Sequence, residues 1–205
     1  MNNSSEHKNH WENVYETKNP DQVSWTQAKP QTSLDFISSF GLGKEARIID
    51  IGGGDSNLVD FLLQEGYENI TVLDISSKAL EKAKERLGDA AAKVKWIATD
   101  ITAFEPAETY DIWHDRAAFH FLTNQEHVSK YMGIAEKSIT GFMVLGTFSK
   151  NGPTKCSGLD IQQYDEESLS SEFESGFEKI QCLTEDHTTP FGTVQNFVFC
   201  SFKKL

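Results

Sequence analysis

The sequence predicts an α/β fold: a doubly wound, mostly parallel sheet of seven strands with an antiparallel hairpin at its C-terminal end. Three observations predict it. Short apolar runs alternate with helix-period segments from Arg47 to Phe173. The connections between them are short, so successive strands lie parallel with helices on both faces of the sheet. After Phe177 two strand-like runs follow each other with only a turn between them. Parallel neighbours need a long crossover, so these two pair antiparallel.

Each element has its own signal. TSLDFISSFGLG, from Thr32 to Gly43, spaces Leu34, Ile37 and Phe40 for a helix and stops at Gly41. RIIDI, ending in Asp50-Ile51, is a strand, and Asn57 to Gln64 is a helix stopped by Gly66. Ile70 to Ile75 is a strand. The segment Ser76 to Gly88 is a helix with a serine N-cap and a glycine C-cap. Val94 to Ile101 and Tyr110 to Asp115 are strands, and Asn124 to Ile139 is helical with Gly141 behind it. Phe142 to Ser149 is the fifth strand and Asp165 to Phe173 a short helix. Phe177 to Asp186 and Val194 to Lys204 form the hairpin around HTTPFGT.

The length of 205 residues suits one domain with a substantial core, with residues 1–30 as a polar, aromatic-rich segment over an α/β core at 31–205. No apolar run approaches the ~18–20 residues that span a bilayer, so no membrane association is expected. The start, MNNSSEHKNHW, lacks the apolar stretch of a signal peptide, so a cytoplasmic protein is expected. Asp and Glu number 31 against 19 Lys and Arg, a formal charge of −12, and there is no basic cluster. Such a surface repels phosphate backbones and argues against a nucleic-acid partner. Cys156, Cys182 and Cys200 are odd in number and lack metal-ligand spacing, which argues against a disulfide framework or a zinc site.

The informative stretch is IIDIGGGDSNLVDFLL, Ile48 to Leu63. An apolar strand runs into Gly52, Gly53 and Gly54, and a helix begins at once. In open α/β sheets ligands bind beyond the carboxyl ends of the strands, and a glycine turn there lets them approach bare backbone. The turn could instead serve only close strand–helix packing. A dinucleotide reading needs G-x-G-x-x-G/A. Here Asn57 stands at the third glycine, and Asp50 and Asp55 bring negative charge toward a pyrophosphate. An acidic turn suits a cationic ligand better.

An acidic residue, a spacer and alternate glycines (Asp50, Gly52, Gly54) resemble the first motif of the class I S-adenosylmethionine-dependent methyltransferases, with Ser56 at the later glycine. The resemblance implies a Rossmann-like methyltransferase fold, S-adenosylmethionine as methyl donor, S-adenosylhomocysteine as product and no metal. It implies that the glycine backbone lies along the methionine part and that Asp50 orients the ammonium, directly or through water. Asp74, at the end of the second strand, would accept both ribose hydroxyls, and Ile75 would pack on the adenine. Asp100 would take the adenine amino group and the backbone N–H of Ile101 a ring nitrogen. Asp115 would touch the methionine end or the adjoining backbone. The closing hairpin also matches that family's sheet.

In this topology the methyl is delivered over the end of the fourth strand, where the chain reads WHDRAAFHFL, Trp113 to Leu122. The Asn-Pro-Pro-aromatic motif of many amide and nucleobase N-methyltransferases is missing. Arg116 reads as a fork for a substrate carboxylate or other anion, or as half of an internal ion pair with Asp115 or another acid. His120 reads as a general base, or as a hydrogen-bonded core residue among Phe119, Phe121 and Leu122. The loop carrying Cys156 and the hairpin turn carrying His187 reach the same rim. The two side chains could meet there as a nucleophile pair or metal ligands, or Cys156 could line a substrate pocket. Trp11, Tyr15 and Trp25 precede the core and could cage a sulfonium or substrate as a lid, or simply anchor a helix. The expectation is methyl transfer to an O, N or S atom of a small molecule by a monomer or homodimer. The alternatives are a protein lysine as acceptor, or a non-catalytic cofactor-binding module.

Overall fold

A computed structural model describes residues 3–205, with side chains from Ser5 onward. Residues 1 and 2 of the expected N-terminal lid lie outside the described residues. The chain opens with helix α1 (Asn3–Thr17) and α2 (Gln31–Ser39), then alternates: β1 (Arg47–Ile51), α3 (Leu58–Gln64), β2 (Asn69–Asp74), α4 (Ser77–Leu87), β3 (Val94–Ala98), β4 (Tyr110–Arg116), α5 (Gln125–Ser138) and β5 (Ile139–Phe148). A two-stranded ribbon, β6 (Lys155–Cys156) and β7 (Leu159–Asp160), precedes α6 (Glu166–Phe173) and the hairpin β8 (Phe177–Thr188) and β9 (Val194–Lys204).

The sheet has seven strands in the order β3-β2-β1-β4-β5-β9-β8. β1 to β5 run parallel, and β9 lies antiparallel between β5 and β8. The chain leaves β1 toward one edge and returns through β4 toward the other. That reversal opens a crevice beyond the carboxyl ends of β1 and β4, where such folds bind ligands. Alternation buries both faces of the central strands. Ile48 and Ile112 pack with Leu62 and Leu80 on one side, while Ile49, Ile51 and Trp113 pack with Phe119, Tyr131 and Phe173 on the other. No helix among the described residues is long and apolar enough to cross a membrane.

Several boundaries differ from the sequence reading by a few residues, and two of them have a clear local reason. β3 stops at Ala98 because the Asp100 carboxylate accepts from the Thr102 N–H (2.9 Å), capping a single 3₁₀ turn at Ile101–Ala103. β5 begins at Ile139, directly from the helix, so Gly141 lies inside the strand. A Cβ there would sit 2.4 Å from the Asp111 carbonyl, so the close approach of β4 needs glycine. β8 runs on to Thr188, past the expected Asp186. The expectation of no disulfide is also corrected. Cys182 and Cys200 face each other across β8 and β9, 4.1 Å apart at Cα, and are joined. Register, not the separation of 18 residues, brings them together.

Candidate functional site

The glycine turn after β1 is built for close approach. Gly52 and Gly54 have φ of +64° and +46°, the left-handed region that glycine enters at least cost. A Cβ on Gly52 would lie 2.5 Å from that of Ala118, and one on Gly54 would lie 2.9 Å from both Asp74 Oδ2 and the Tyr15 hydroxyl. Beyond the turn a cavity of about 220 Å³ runs along the carboxyl ends of β1, β2 and β4. Asp50, Gly52, Gly53, Asp74, Ile75, Asp100, Ile101, Arg116 and Cys156 line it from the core, and Tyr15 and Trp25 from the N-terminal segment. Gly54, Asp115, His120 and His187 stand behind this lining.

Asp74, among the lining acids, is strongly perturbed by its burial. Its carboxylate accepts from the Ser76 N–H (2.8 Å) and from the Gly54 N–H. Burial, with Asp50 and Glu12 nearby, nevertheless pushes its pKa up from 3.8 to about 7. A carboxylate so placed gains from any hydroxyl donor that enters the cavity. Asp50 is also buried, and its Oδ1 takes the Nδ1–H of His114 (2.7 Å), whose Nε2 lies 2.8 Å from the Ser33 hydroxyl. The Ser33–His114 pair therefore fixes Asp50. Asp100 Oδ1 accepts from the Thr102 backbone and hydroxyl. Asp55 is not the bare charge expected from the sequence. Arg86 of α4 pairs with Asp55 and also with Asp60 (2.8 Å).

The N-terminal segment is bolted over this cavity. Glu12 of α1 accepts from the Ser77 N–H (3.0 Å), the Lys78 N–H (3.1 Å) and both serine hydroxyls of Ser76 and Ser77. It thus caps the start of α4 from another element, because those N–H groups lack partners inside their own helix. A strap, Ser24 to Gln27, is held through its carbonyls. His187 Nε2–H donates to Ser24 (2.7 Å), Arg116 Nη1 to Trp25 (2.9 Å) and Asn57 to Gln27 (2.9 Å). The rings of Trp11, Tyr15, Trp25 and Phe121 pack edge-on or tilted at 5.1–6.3 Å between centroids. Sequence reasoning missed Glu12, Ser33, Asn57 and the part played by His114. These partners lie 30 or more residues away, so no local spacing could have marked them.

At the β4 rim the fold chooses between the alternatives. Asp115 is fully buried and does not reach the cavity. It accepts from the Ala118 (3.0 Å) and Phe119 (3.1 Å) N–H groups and from the Tyr131 hydroxyl (2.9 Å), so it holds the adjoining backbone. His120 is a core residue, which corrects the general-base expectation. Its Nδ1 accepts from the Phe148 N–H (3.3 Å), and burial beside the Arg116 charge pushes its pKa down to about 3. His187 is committed to the strap, and its pKa is lowered, first by burial and then by Arg116. Cys156 lines the cavity as a thiol pushed up to about 12 by burial, so it forms no thiolate nucleophile near neutral pH. No group of three metal-ligating side chains occurs among the described residues. Arg116 makes no ion pair among them. Its Nε and Nη2 are buried without a hydrogen-bond partner, and its guanidinium lies 4.7 Å over the Phe197 ring.

Comparison with known proteins agrees with this geometry. A family described as "Methyltransferase domain" matches residues 48–135. The chain is 32% identical over 126 residues to malonyl-(acyl-carrier protein) O-methyltransferase of Anoxybacillus flavithermus, covering 58% of this chain and 47% of that protein. It is 25% identical over 101 residues to trans-aconitate 2-methyltransferase of Rhizobium leguminosarum, covering 49% and 38%. The chain thus spans less than half the length of these curated relatives. Its fold superposes on a SAM-dependent methyltransferase from Anabaena variabilis with a TM-score of 0.78 at 15% identity, covering 100% of this chain and 96% of that one. The matched residues 48–135 carry the glycine turn, Asp74, Asp100 and the β4 rim, so this part of the chain is similar to a methyltransferase domain and the whole chain shares the fold of a SAM-dependent methyltransferase.

Proposed function

We propose that the chain moves the methyl group of S-adenosylmethionine to a small-molecule acceptor and releases S-adenosylhomocysteine. One observation carries the reading. The cavity at the sheet's switch point is floored by a side-chain-free turn, walled by buried carboxylates and closed by aromatic rings. That combination suits a ligand with a cationic sulfonium and a ribose.

S-adenosylmethionine would supply a methyl already activated by its sulfonium. The remaining work belongs to the chain. Asp74 accepts the ribose hydroxyls, Ile75 and Ile101 flank the adenine, and Asp100 and the Ile101 N–H meet its polar edge. Asp50, steadied by His114, orients the ammonium over Gly52 and Gly53. Trp11, Tyr15 and Trp25 exclude water above the transfer. Residues 1–30 act as the lid of a single α/β domain. The bolted strap favours a compact acceptor over a protein side chain. No metal is required by this chemistry, and the acidic surface still disfavours a nucleic-acid substrate.

Thermal shift with S-adenosylmethionine, S-adenosylhomocysteine and NAD in parallel tests the donor. Ligand at 100 times its Kd adds about 2.7 kcal/mol of stability. A rise with the two adenosyl compounds and none with NAD is expected, and a rise with NAD alone would overturn the reading. Donor binding with no label transferred to any fraction of a cell extract would leave a non-catalytic binding module.

A further inference from the structure

We infer that the acceptor is a carboxylic acid, held as its carboxylate by Nε and Nη2 of Arg116 and methylated on one of the oxygens so held. The inference rests on the methyl-transfer reading and names the substrate class of that site.

The first ground is an unsatisfied cation. Arg116 ends β4 and lines the cavity beside Cys156 and Phe121. Nη1 donates to the Trp25 carbonyl, while Nε and Nη2 are buried with no partner. These two N–H groups lie on one edge of the guanidinium, the edge that grips a carboxylate with two parallel bonds. Leaving a buried cation without an anion is strongly unfavourable. The chain's own acids do not fill the place. Asp115 is spent on backbone and Tyr131. Glu185 lies close enough for its charge to favour the guanidinium, but it accepts from Thr32 through Oε2, leaves Oε1 unpaired and makes no hydrogen bond or ion pair with Arg116. The strap is tied to the same guanidinium through Nη1 and the Trp25 carbonyl, so on this inference the acceptor enters when Ser24 to Gln27 lifts.

The second ground is that the groups expected as a base or nucleophile at this rim are spent. His120 and His187 are committed elsewhere and disfavour a proton, and the Cys156 thiol stays protonated. A hydroxyl, thiol or ammonium acceptor must lose a proton in the reaction, whereas a carboxylate need not. A carboxylate oxygen lone pair forms the O–CH3 bond. The C–S bond breaks with its electron pair returning to sulfur, and the sulfonium becomes a neutral thioether. Charges of +1 and −1 cancel and no proton moves. The neutral ester then loses its charge pairing with Arg116, which favours release.

The test uses the full chain with methyl-labelled S-adenosylmethionine, a panel of small mono-, di- and tricarboxylic acids with their primary amides, and the acidic metabolite fraction of a cell extract. The expected product is labelled, forms from an acid and not its amide, and yields volatile methanol in alkali. Arg116→Lys should raise KM for the acid more than tenfold with a smaller change in kcat, and Arg116→Met should abolish transfer. Both variants should keep the thermal response to S-adenosylmethionine, which shows that they fold. Glu185→Gln should transfer like the parent chain. Base-stable label, equal transfer to amides, or full activity in Arg116→Met would overturn the inference. So would equal losses in Arg116→Met and Glu185→Gln, or donor binding with no transfer to any acid. If the parent chain gives no thermal response to the donor, the methyl-transfer reading fails first and this one with it.

Discussion

Replacing Asp74 by asparagine should make the free protein more stable while destroying its response to the methyl donor. Burial lifts this carboxyl from its ordinary 3.8 to about 7. Each pKa unit is worth about 1.4 kcal/mol, so holding the charge at pH 8 costs the folded chain roughly 4 kcal/mol. The sign follows from linkage. The folded state keeps the proton to higher pH than the unfolded state, so stability is greatest below pH ~4 and is lost as pH rises through about 7. Asparagine removes the charge but turns one acceptor into an N–H2 facing the Gly54 N–H, which returns about 1–3 kcal/mol of penalty. The net gain is about 2 kcal/mol, or roughly 4–8 °C in Tm for a chain of this size. Differential scanning fluorimetry at pH 8 and pH 5, with and without S-adenosylmethionine, reads every part of this. At pH 5 the parent's Asp74 is already neutral, so the variant's advantage should vanish. The donor's stabilisation should be lost in the variant because the amide cannot accept from both ribose hydroxyls. A variant that is less stable at both pH values and still stabilised by the donor would refute the argument.

The same carboxyl predicts that donor affinity in the parent chain weakens as pH falls below about 7, by up to about tenfold per pH unit, because hydroxyl donors favour the ionised form; calorimetry should also show proton release on binding at pH 6–7. Gly52→Ala forces a left-handed alanine, at roughly 1–2 kcal/mol, and sets its Cβ 2.5 Å from that of Ala118. Its Tm should fall by several degrees and its donor response should vanish, and unchanged fluorimetry would contradict the cradle. Glu12→Ala removes the acceptor for four groups at the start of α4. Amide exchange should rise across α1 and not across the central strands, and donor Kd should weaken about tenfold, about 1.4 kcal/mol. Asp115→Ala leaves two backbone N–H groups and the Tyr131 hydroxyl without their acceptor. At about 1–3 kcal/mol per orphaned buried group the variant should lose roughly 10 °C or more in Tm. Lost transfer with an unchanged Tm would mean that Asp115 works on the cofactor after all.

Much of this molecule is legible in its sequence because the relevant physics is local. Apolar periodicity, caps and glycines predicted the alternating strands and helices and the closing hairpin, which the fold shows with shifts of a few residues. The glycine turn could be read because a left-handed backbone in a tight approach admits almost nothing else. Asp74, Asp100 and Arg116 stood at strand ends, and strand ends are where this topology places a site. What could not be read is what each charge meets. Whether Asp50 is free or tied to His114, whether Asp115 touches a ligand or its own loop, and whether His120 faces the cavity or the core depend on groups brought together across the sheet. The disulfide was missed for the same reason, since register alone decides that Cys182 faces Cys200. The clearest case is Arg116. The sequence determined that a guanidinium stands at the end of β4 and left its partner open. Only the packed structure decided that no acid among the described residues hydrogen-bonds to it, because burial strips away water and leaves geometry to determine which hydrogen bonds are made.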